Sequence, residues 1–342
     1  MLSGFSFVMS SHVAVVGATE IIGRELIKLL ACMEMKKESI SFLVSREHAG
    51  MHIGFGESGD VVVQDVSMYD FSKARLAFFV GGRGIAHNLA ELATMAGCIV
   101  LDSSSCFRMR DDVPLVIPEV NPHVLNSLPD TKVISSPSSL TIQMLLPLKP
   151  LHDVAKISRI WVSTYQSVSD AGEAGMDELY ESTKRRFAFA QEKPCVFPRN
   201  IEFNCIPQVG ELDEQNFCDE EIGLVREARK ILEDGSIDVF PTCVRVPVFV
   251  GHAQSITVEF KENISEDDVY EILSDAEGVA FLRKNYKCQP EVVGYDDVFV
   301  SRLRFHSPRM LSMWVVADNL RKGGALNLLH IYDLLSSVHG WK

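Results

Sequence analysis

The chain has 342 residues, of which 46% are apolar, enough to fill two cores at about 150 residues per domain. Its 33 basic and 46 acidic side chains leave a formal charge of -13, which repels phosphate backbones and anionic lipid surfaces. Nucleic-acid and membrane-surface partners are therefore disfavoured, natively disordered character is excluded, and a local basic pocket for a small anion remains compatible.

The opening residues MLSGFSFVMS lack the basic region and long apolar core of a secretory signal. No later apolar run reaches the ~18 residues needed to span a bilayer. The reading is a cytoplasmic protein, with order beginning at His12 and Met9 as an alternative start. Eight cysteines, at 32, 98, 106, 195, 205, 218, 243 and 288, form no CxxC pair, so they read as mostly buried thiols in a reducing compartment rather than a disulfide framework or metal site.

In chain order, the apolar run 12–17 ends in glycine and leads into a helical pattern over 21–32, with Ile22, Leu26, Leu29 and Leu30 on one face. Further compact apolar runs at 40–44, 76–80 and 98–101 predict strands, with a helix over 85–95 between the last two. Strands alternating with helices imply a parallel sheet. Residues 10–133 are accordingly read as an α/β dinucleotide-binding domain of the Rossmann type, rejoined by 320–342. The texture changes at Lys156: strands are expected at 157–168, 239–250, 255–260 and 298–304, with helices at 173–192 and 220–233. That pattern predicts a second, α+β domain over 134–319 for substrate binding and dimerisation. A last amphipathic stretch, 323–337, is expected to return as a helix onto the first domain.

In Gly17-Ala-Thr-Glu-Ile-Ile-Gly23 a strand runs into a helix N-terminus. There the unpaired N–H groups and the positive end of the helix dipole can hold a pyrophosphate. Taken alone, such a turn is equally compatible with structural punctuation.

Five ordered blocks carry more information: Asp102-Ser-Ser-Ser-Cys-Phe-Arg-Met109, Val113-Pro-Leu-Val-Ile-Pro-Glu-Val-Asn121, Thr164-Tyr-Gln-Ser-Val-Ser169, Thr242-Cys-Val-Arg-Val-Pro-Val248 with Gly251-His252, and Asp318-Asn-Leu-Arg-Lys-Gly323. In this order they resemble the signature blocks of the aspartate-semialdehyde dehydrogenase family, and the resemblance runs from Val13 to about Leu335. It implies a homodimeric enzyme that reductively dephosphorylates β-aspartyl phosphate with NADPH, NAD being an alternative cofactor, to give aspartate semialdehyde for lysine, diaminopimelate, threonine and methionine synthesis. The implied partners are this small substrate and phosphate, with no metal.

The resemblance also implies roles. Arg245 matches the arginine that holds the substrate carboxylate, a task suited to a planar guanidinium fork. His252 matches the acid/base histidine, Gln166 the glutamine that orients the acyl group, and Arg108 the arginine that binds the substrate phosphate. Glu220 keeps an acidic substrate-site position, and Gly223 stands where a lysine is usual. Cofactor contacts fall on Gly17, Ala18, Thr19, Glu20, Ile21, Ile22 and Gly23, on Ser45 and Arg46, and on Gly82 and Asn319. Glu20 replaces a second glycine of the turn. In Ser45-Arg-Glu-His-Ala-Gly50 the arginine expected to grip the 2'-phosphate is replaced by Glu47, with Arg46 displaced by one position.

The largest departure is at the nucleophile, because the family's Pro-Asn-Cys segment reads here Pro137-Ser138-Ser139-Leu140-Thr141, followed by the expected Ile142-Gln143. Ser139 therefore occupies the cysteine position. A thiol is a few per cent thiolate at neutral pH, whereas a serine hydroxyl needs an adjacent base such as His252. Four readings compete: an active dehydrogenase using Ser139, one using a relocated thiol at Cys106, a non-catalytic relative with a binding or regulatory role, and a different acyl-phosphate reductase, such as an N-acetyl-glutamyl-phosphate reductase, on the same scaffold.

Overall fold

The structure is a computed structural model that describes residues 12–190 and 193–340. Met9, residues 10 and 11 of the expected first domain, residues 191 and 192 of the expected helix and the final residues 341 and 342 lie outside it. The chain divides into one unit that extends to Pro137 and resumes at Gly324, and a second spanning Ser138–Gly323.

The first unit is built on strands β1 (Val13–Val16), β2 (Ile40–Val44), β3 (His52–Gly54), β4 (Asp60–Val62), β5 (Gln64–Asp65), β6 (Leu76–Phe79), β7 (Ile99–Asp102) and β8 (Val133–Ser135), with helices α1 (Ile21–Cys32) and α2 (Arg83–Met95). β3 and β4 form a small hairpin. The other six strands form a wholly parallel sheet in the order β5-β2-β1-β6-β7-β8. Because side chains alternate along a strand, each strand feeds two cores. Val13, Val15, Phe42 and Phe78 pack with α1 on one face, while Ala14, Val16, Ala77 and Phe79 pack with Ala86, Ala90 and Ala93 of α2 on the other. A near-continuous apolar run such as Val13–Val16, buried throughout, is what a sheet covered on both faces requires.

The second unit holds α3 (Ser139–Ala155), β9 (Ile157–Gln166), α4 (Gly172–Phe187), α5 (Asp219–Ile231), β10 (Asp238–Arg245), β11 (His252–Phe260), α6 (Glu266–Asp275), β12 (Val279–Leu282), β13 (Val298–Ser307) and β14 (Met310–Ala317). Its mixed sheet has the order β10-β9-β11-β14-β13-β12. β9 alternates, with Ile160, Val162, Thr164 and Gln166 buried and Arg159, Trp161, Ser163 and Tyr165 more exposed. One face is therefore covered and the other carries half-exposed aromatics.

Helix α7 (Leu326–His339) belongs to the first unit and completes its core through Leu326, Leu329, Ile331, Tyr332 and Leu335. Asn327 donates to Val116 O (3.1 Å) and Ser136 Oγ (2.8 Å), and His330 Nδ1 lies 2.7 Å from Glu119. Buried polar contacts of this kind fix a helix in one register, which apolar packing alone does less sharply.

Several local expectations change. The strand expected at 239–250 ends at Arg245, and β11 begins at His252 rather than at 255. Pro247, with no N–H, cannot continue a central ladder. The helix expected at 323–337 begins at Leu326, after a π-turn over Arg321–Ala325. The helix expected to reach 192 ends at Phe187. Helix α3 escaped the periodicity because Pro147 and Pro150 lie inside it. The cysteines are not mostly buried: Cys98, Cys218 and Cys243 are, but Cys32, Cys195, Cys205 and Cys288 are exposed. No helix among the described residues is long and apolar enough to cross a membrane.

Candidate active site

In the first unit the turn after β1 fits a phosphate. Gly17 adopts φ +98°, and a Cβ on it would lie 2.5 Å from the backbone N of Gly81; a Cβ on Gly23 would lie 2.1 Å from Gly17 O. Only glycine permits so close an approach of two turns and of the α1 backbone to the strand. No side chain caps the first turn of α1, at Ile21, Ile22 and Gly23, so its N–H groups remain directed out of the helix end. Ala18 is buried, Thr19 half-buried, and Glu20 is exposed at the N-cap. Gly82, at φ +84° before α2, has open space where a Cβ would be. These features fit a dinucleotide pyrophosphate.

The segment Ser45–His48, which the resemblance assigns to the cofactor, engages its own side chains. The hydroxyl of Ser45 donates to Glu47 Oε1 at 3.2 Å and lies 3.1 Å from His48 Nδ1, while Arg46 is exposed. Arg108 is fixed by two backbone carbonyls, Nε to Ser136 O at 3.1 Å and Nη2 to Ser103 O at 2.7 Å. Two backbone carbonyls thus set the orientation of the guanidinium. Cys106 is half-buried, and burial raises its thiol pKa, which works against thiolate formation.

The second unit begins at the expected nucleophile. Ser138 is the N-cap of α3 and accepts from Thr141 N at 3.2 Å. The buried carboxylate of Glu227, on α5, accepts from Ser138 N at 2.8 Å and from Thr141 Oγ1 at 2.7 Å. Ser139 follows as the first residue of a 17-residue helix, where the helix dipole favours developing negative charge. Gly323 abuts it so closely that a Cβ there would lie 2.4 Å from Ser139 Cβ.

Gln166, Arg245 and His252 meet at one end of the second sheet. Gln166 and Arg245 are register partners at the ends of parallel β9 and β10, and β11 starts at His252, next to Ala253, which pairs with Tyr165. The hydroxyl of Thr164 donates to Gln166 Oε1 at 2.9 Å, leaving Gln166 Nε2 buried without a partner among the described residues.

His252 is fully buried. The backbone N–H of Ser167 donates to its Nδ1 at 3.1 Å, and Ser167 Oγ lies 3.1 Å from the same nitrogen. Nδ1 is therefore an acceptor, and the proton of the neutral ring is on Nε2. Burial lowers its pKa to about 4, against the opposing attraction of Asp170 and with a further lowering by Arg245. Nε2 has no hydrogen-bond partner among the described residues. Gln166 Nε2 and His252 Nε2 are thus two buried donors at one sheet end whose hydrogen-bonding capacity the described residues leave unused, an arrangement that can accept a ligand oxygen.

Arg245 donates Nη1 to Ser167 O at 2.7 Å and Nη2 to Asp170 Oδ2 at 2.9 Å, and Asp170 Oδ1 is 4.0 Å from His252 Nε2. Asn319, expected among cofactor contacts, binds within the second unit. Its Oδ1 accepts from Gly251 N at 2.8 Å and Ser167 Oγ at 3.3 Å, and its Nδ2 donates to Ser169 Oγ at 3.0 Å. It fastens the turn before His252 to the loop after Gln166. Glu220 is half-buried in the first turn of α5, with Gly223 one turn on.

The sequence reading missed Ser167, Asp170 and Glu227. Ser167 lies inside a quoted block, but its function depends on a backbone N–H, which no residue type reports. Cys218, Glu221 and Cys243 also cluster within 4.8 Å of one another. Both oxygens of Glu221 accept backbone N–H groups, from Cys218 and Cys243, each at 3.0 Å. The trio is thereby explained as a cap on α5.

Residues 12–128 match the model for "Semialdehyde dehydrogenase, NAD binding domain", and residues 148–322 match "Semialdehyde dehydrogenase, dimerisation domain". The aspartate-semialdehyde dehydrogenase of Rickettsia bellii is 38% identical over 96% of this chain and 98% of its own length. Aspartate-semialdehyde dehydrogenase 2 of Vibrio cholerae is 39% identical over 95% of this chain and 97% of its own length. Among solved structures, aspartate semialdehyde dehydrogenase II of Vibrio cholerae complexed with ASA superposes with a TM-score of 0.93 at 38% identity, covering 96% of this chain and 99% of that one. With both parts of the family matched, and relatives aligned over almost their full length, this chain belongs to the aspartate-semialdehyde dehydrogenase family of oxidoreductases.

Proposed function

We propose that the protein catalyses NADP-dependent interconversion of aspartate semialdehyde and β-aspartyl phosphate. The observation that carries this reading is the meeting of Gln166, Arg245 and His252 at one sheet end, with His252 neutral and its proton on Nε2. Bound NADPH supplies the hydride in the reducing direction. The Arg245 guanidinium, paired with Asp170 in this structure, is suited to a substrate carboxylate, and Gln166 Nε2 can hold the carbonyl oxygen of the acyl group. His252 Nε2 gives or takes the proton at the reacting oxygen. A neutral imidazole with a low pKa is a willing donor when protonated and a weak base otherwise, so proton transfer is expected to depend on the developing oxyanion.

Ser139 holds the nucleophile position on a helix N-terminus, which stabilises an attacking anion. A hydroxyl still requires a base, and its acyl ester yields to phosphate less readily than a thioester. Slow turnover follows. Arg108 is assigned to the phosphate, the Gly17–Gly23 turn to the pyrophosphate of the cofactor, and Glu220 to the substrate. The engagement of Ser45 with Glu47 and His48 supports a weak preference between NADP and NAD. The same reading makes the enzyme a cytoplasmic homodimer serving lysine, diaminopimelate, threonine and methionine synthesis.

The test is phosphate-dependent reduction of NADP and of NAD with aspartate semialdehyde, comparing wild type, Ser139→Cys and Ser139→Ala. Turnover by wild type that Ser139→Ala loses establishes the serine as nucleophile. Activity confined to Ser139→Cys assigns the native chain a binding or regulatory role instead.

A further inference from the structure

Arg245 is only 6% exposed at its side chain, and such a buried guanidinium requires a counter-charge. The structure supplies one internally: Asp170 Oδ2 accepts from Nη2 at 2.9 Å, while its other oxygen lies 4.0 Å from His252 Nε2. One carboxylate thus faces the two groups that the proposed function reserves for substrate. We propose that Asp170 is a specificity-determining residue that acts as an internal stand-in for the substrate carboxylate, so that a ligand gains access to Arg245 only by exchanging its own carboxylate for that of Asp170.

The pair is asymmetric in the way such an exchange needs. Arg245 is the fixed partner, held at Nη1 by Ser167 O, packed 5.9 Å from the Phe197 ring and tied through its backbone to Ile206. Asp170 is the partner nearer solvent, at 31% side-chain exposure. It lies in the short 3-10 turn Val168–Ala171, which ends at Gly172 with φ +76° and open space around it. A partly exposed carboxylate can turn toward solvent by changing its own side-chain rotamer, with the turn backbone kept in place by the bonds from Val168 N to Val248 O and from Ser169 N to Phe249 O.

The chemistry of exchange is balanced. A ligand carboxylate restores the charge pairing that the departing Asp170 gives up, and Asp170 moves to water, where a carboxylate is well solvated. A ligand without a carboxylate cannot restore it and leaves Arg245 buried and unpaired. Discrimination against uncharged four-carbon aldehydes and alcohols therefore comes from the cost of displacement as well as from attraction. The same competition weakens the binding of correct ligands. This inference rests on the reading of Arg245 as the carboxylate site.

The experiment is calorimetric binding of L-homoserine, the alcohol counterpart of the semialdehyde, to wild type, Asp170→Asn and Asp170→Ala, each also combined with Arg245→Gln. 3-Aminopropan-1-ol, which lacks the carboxylate, is the comparison ligand. Tightening for homoserine of five-fold or more in either single variant, absent for 3-aminopropan-1-ol and removed by Arg245→Gln, is the expected result. A change below five-fold in both single variants, no detectable binding in any of the proteins, or a gain that survives Arg245→Gln overturns the proposal. The measurement uses neither cofactor nor turnover. A wild type inactive in the phosphate assay leaves it standing, and an active wild type with unchanged homoserine binding rejects only the role of Asp170.

Discussion

The backbone N–H of Ser167 and Nδ1 of His252 are joined at 3.1 Å, inside a pocket where the ring is fully buried. That bond requires a neutral ring, and burial holds the pKa near 4, against 6.5 for an ordinary histidine. Below pH 6.5 the unfolded chain takes up a proton that the native ring refuses until about pH 4, so stability falls as pH falls through that window. The loss is on the order of 3 kcal/mol. Thermal unfolding of wild type and His252→Asn at pH 7, 5.5 and 4.5 should show the wild type losing more stability on acidification, and parallel curves would refute the assignment.

Glu227 holds the segment that carries Ser139, through Ser138 N and Thr141 Oγ1. Glu227→Ala leaves these buried donors without that acceptor, which costs about 2–4 kcal/mol. Urea denaturation should register the loss, and in a Ser139→Cys background the alanine variant should also lower kcat. Glu227→Gln, which keeps one oxygen acceptor, should recover part of both.

Gly23→Ala tests the phosphate turn. The added Cβ meets Gly17 O at 2.1 Å, a backbone atom that cannot yield without moving β1 or α1. Destabilisation of about 2 kcal/mol or more is expected, together with loss of NADPH binding measured by fluorescence titration. A variant with wild-type stability and affinity would remove the turn from the cofactor site.

The open face of the second sheet carries Trp161 and Phe240, 37% and 49% exposed, stacked with centroids 5.7 Å apart and planes 20° apart. Paired aromatics of this size on an open sheet face suit the proposed homodimer interface. Trp161→Glu with Phe240→Glu should shift sedimentation from dimer to monomer while leaving far-UV circular dichroism unchanged; a dimer that persists would place the interface elsewhere.

The parallel sheet was legible because a strand buried on both faces has to be apolar throughout, and Val13–Val16 and Leu76–Phe79 are. Helix α3 was not, since two prolines interrupt its signal and its N-cap, Ser138, is held in place by a carboxylate distant in sequence. At the site, the quoted blocks named Gln166, Arg245 and His252, but sequence order says nothing of their sharing one sheet end. That follows from the parallel pairing of β9 with β10 across the 71 intervening residues, Ser167 to Ile237, which periodicity cannot read. Asp170 escaped for another reason: an acidic residue in a turn looks like ordinary solvent-facing polarity until its partner is known.

The contact between Gly323 and Ser139 has a consequence for how the chain can be cut and rejoined as well as for the site. The second unit starts at Ser138 and stops at Gly323, so its two ends meet like the neck of a purse. A folded body whose ends already touch can be spliced into a host chain, or taken out of it, without stretching the host. Joining Pro137 to Gly324 through a few flexible residues should give a free-standing nucleotide-binding protein, while the excised middle segment is a natural candidate for cyclisation.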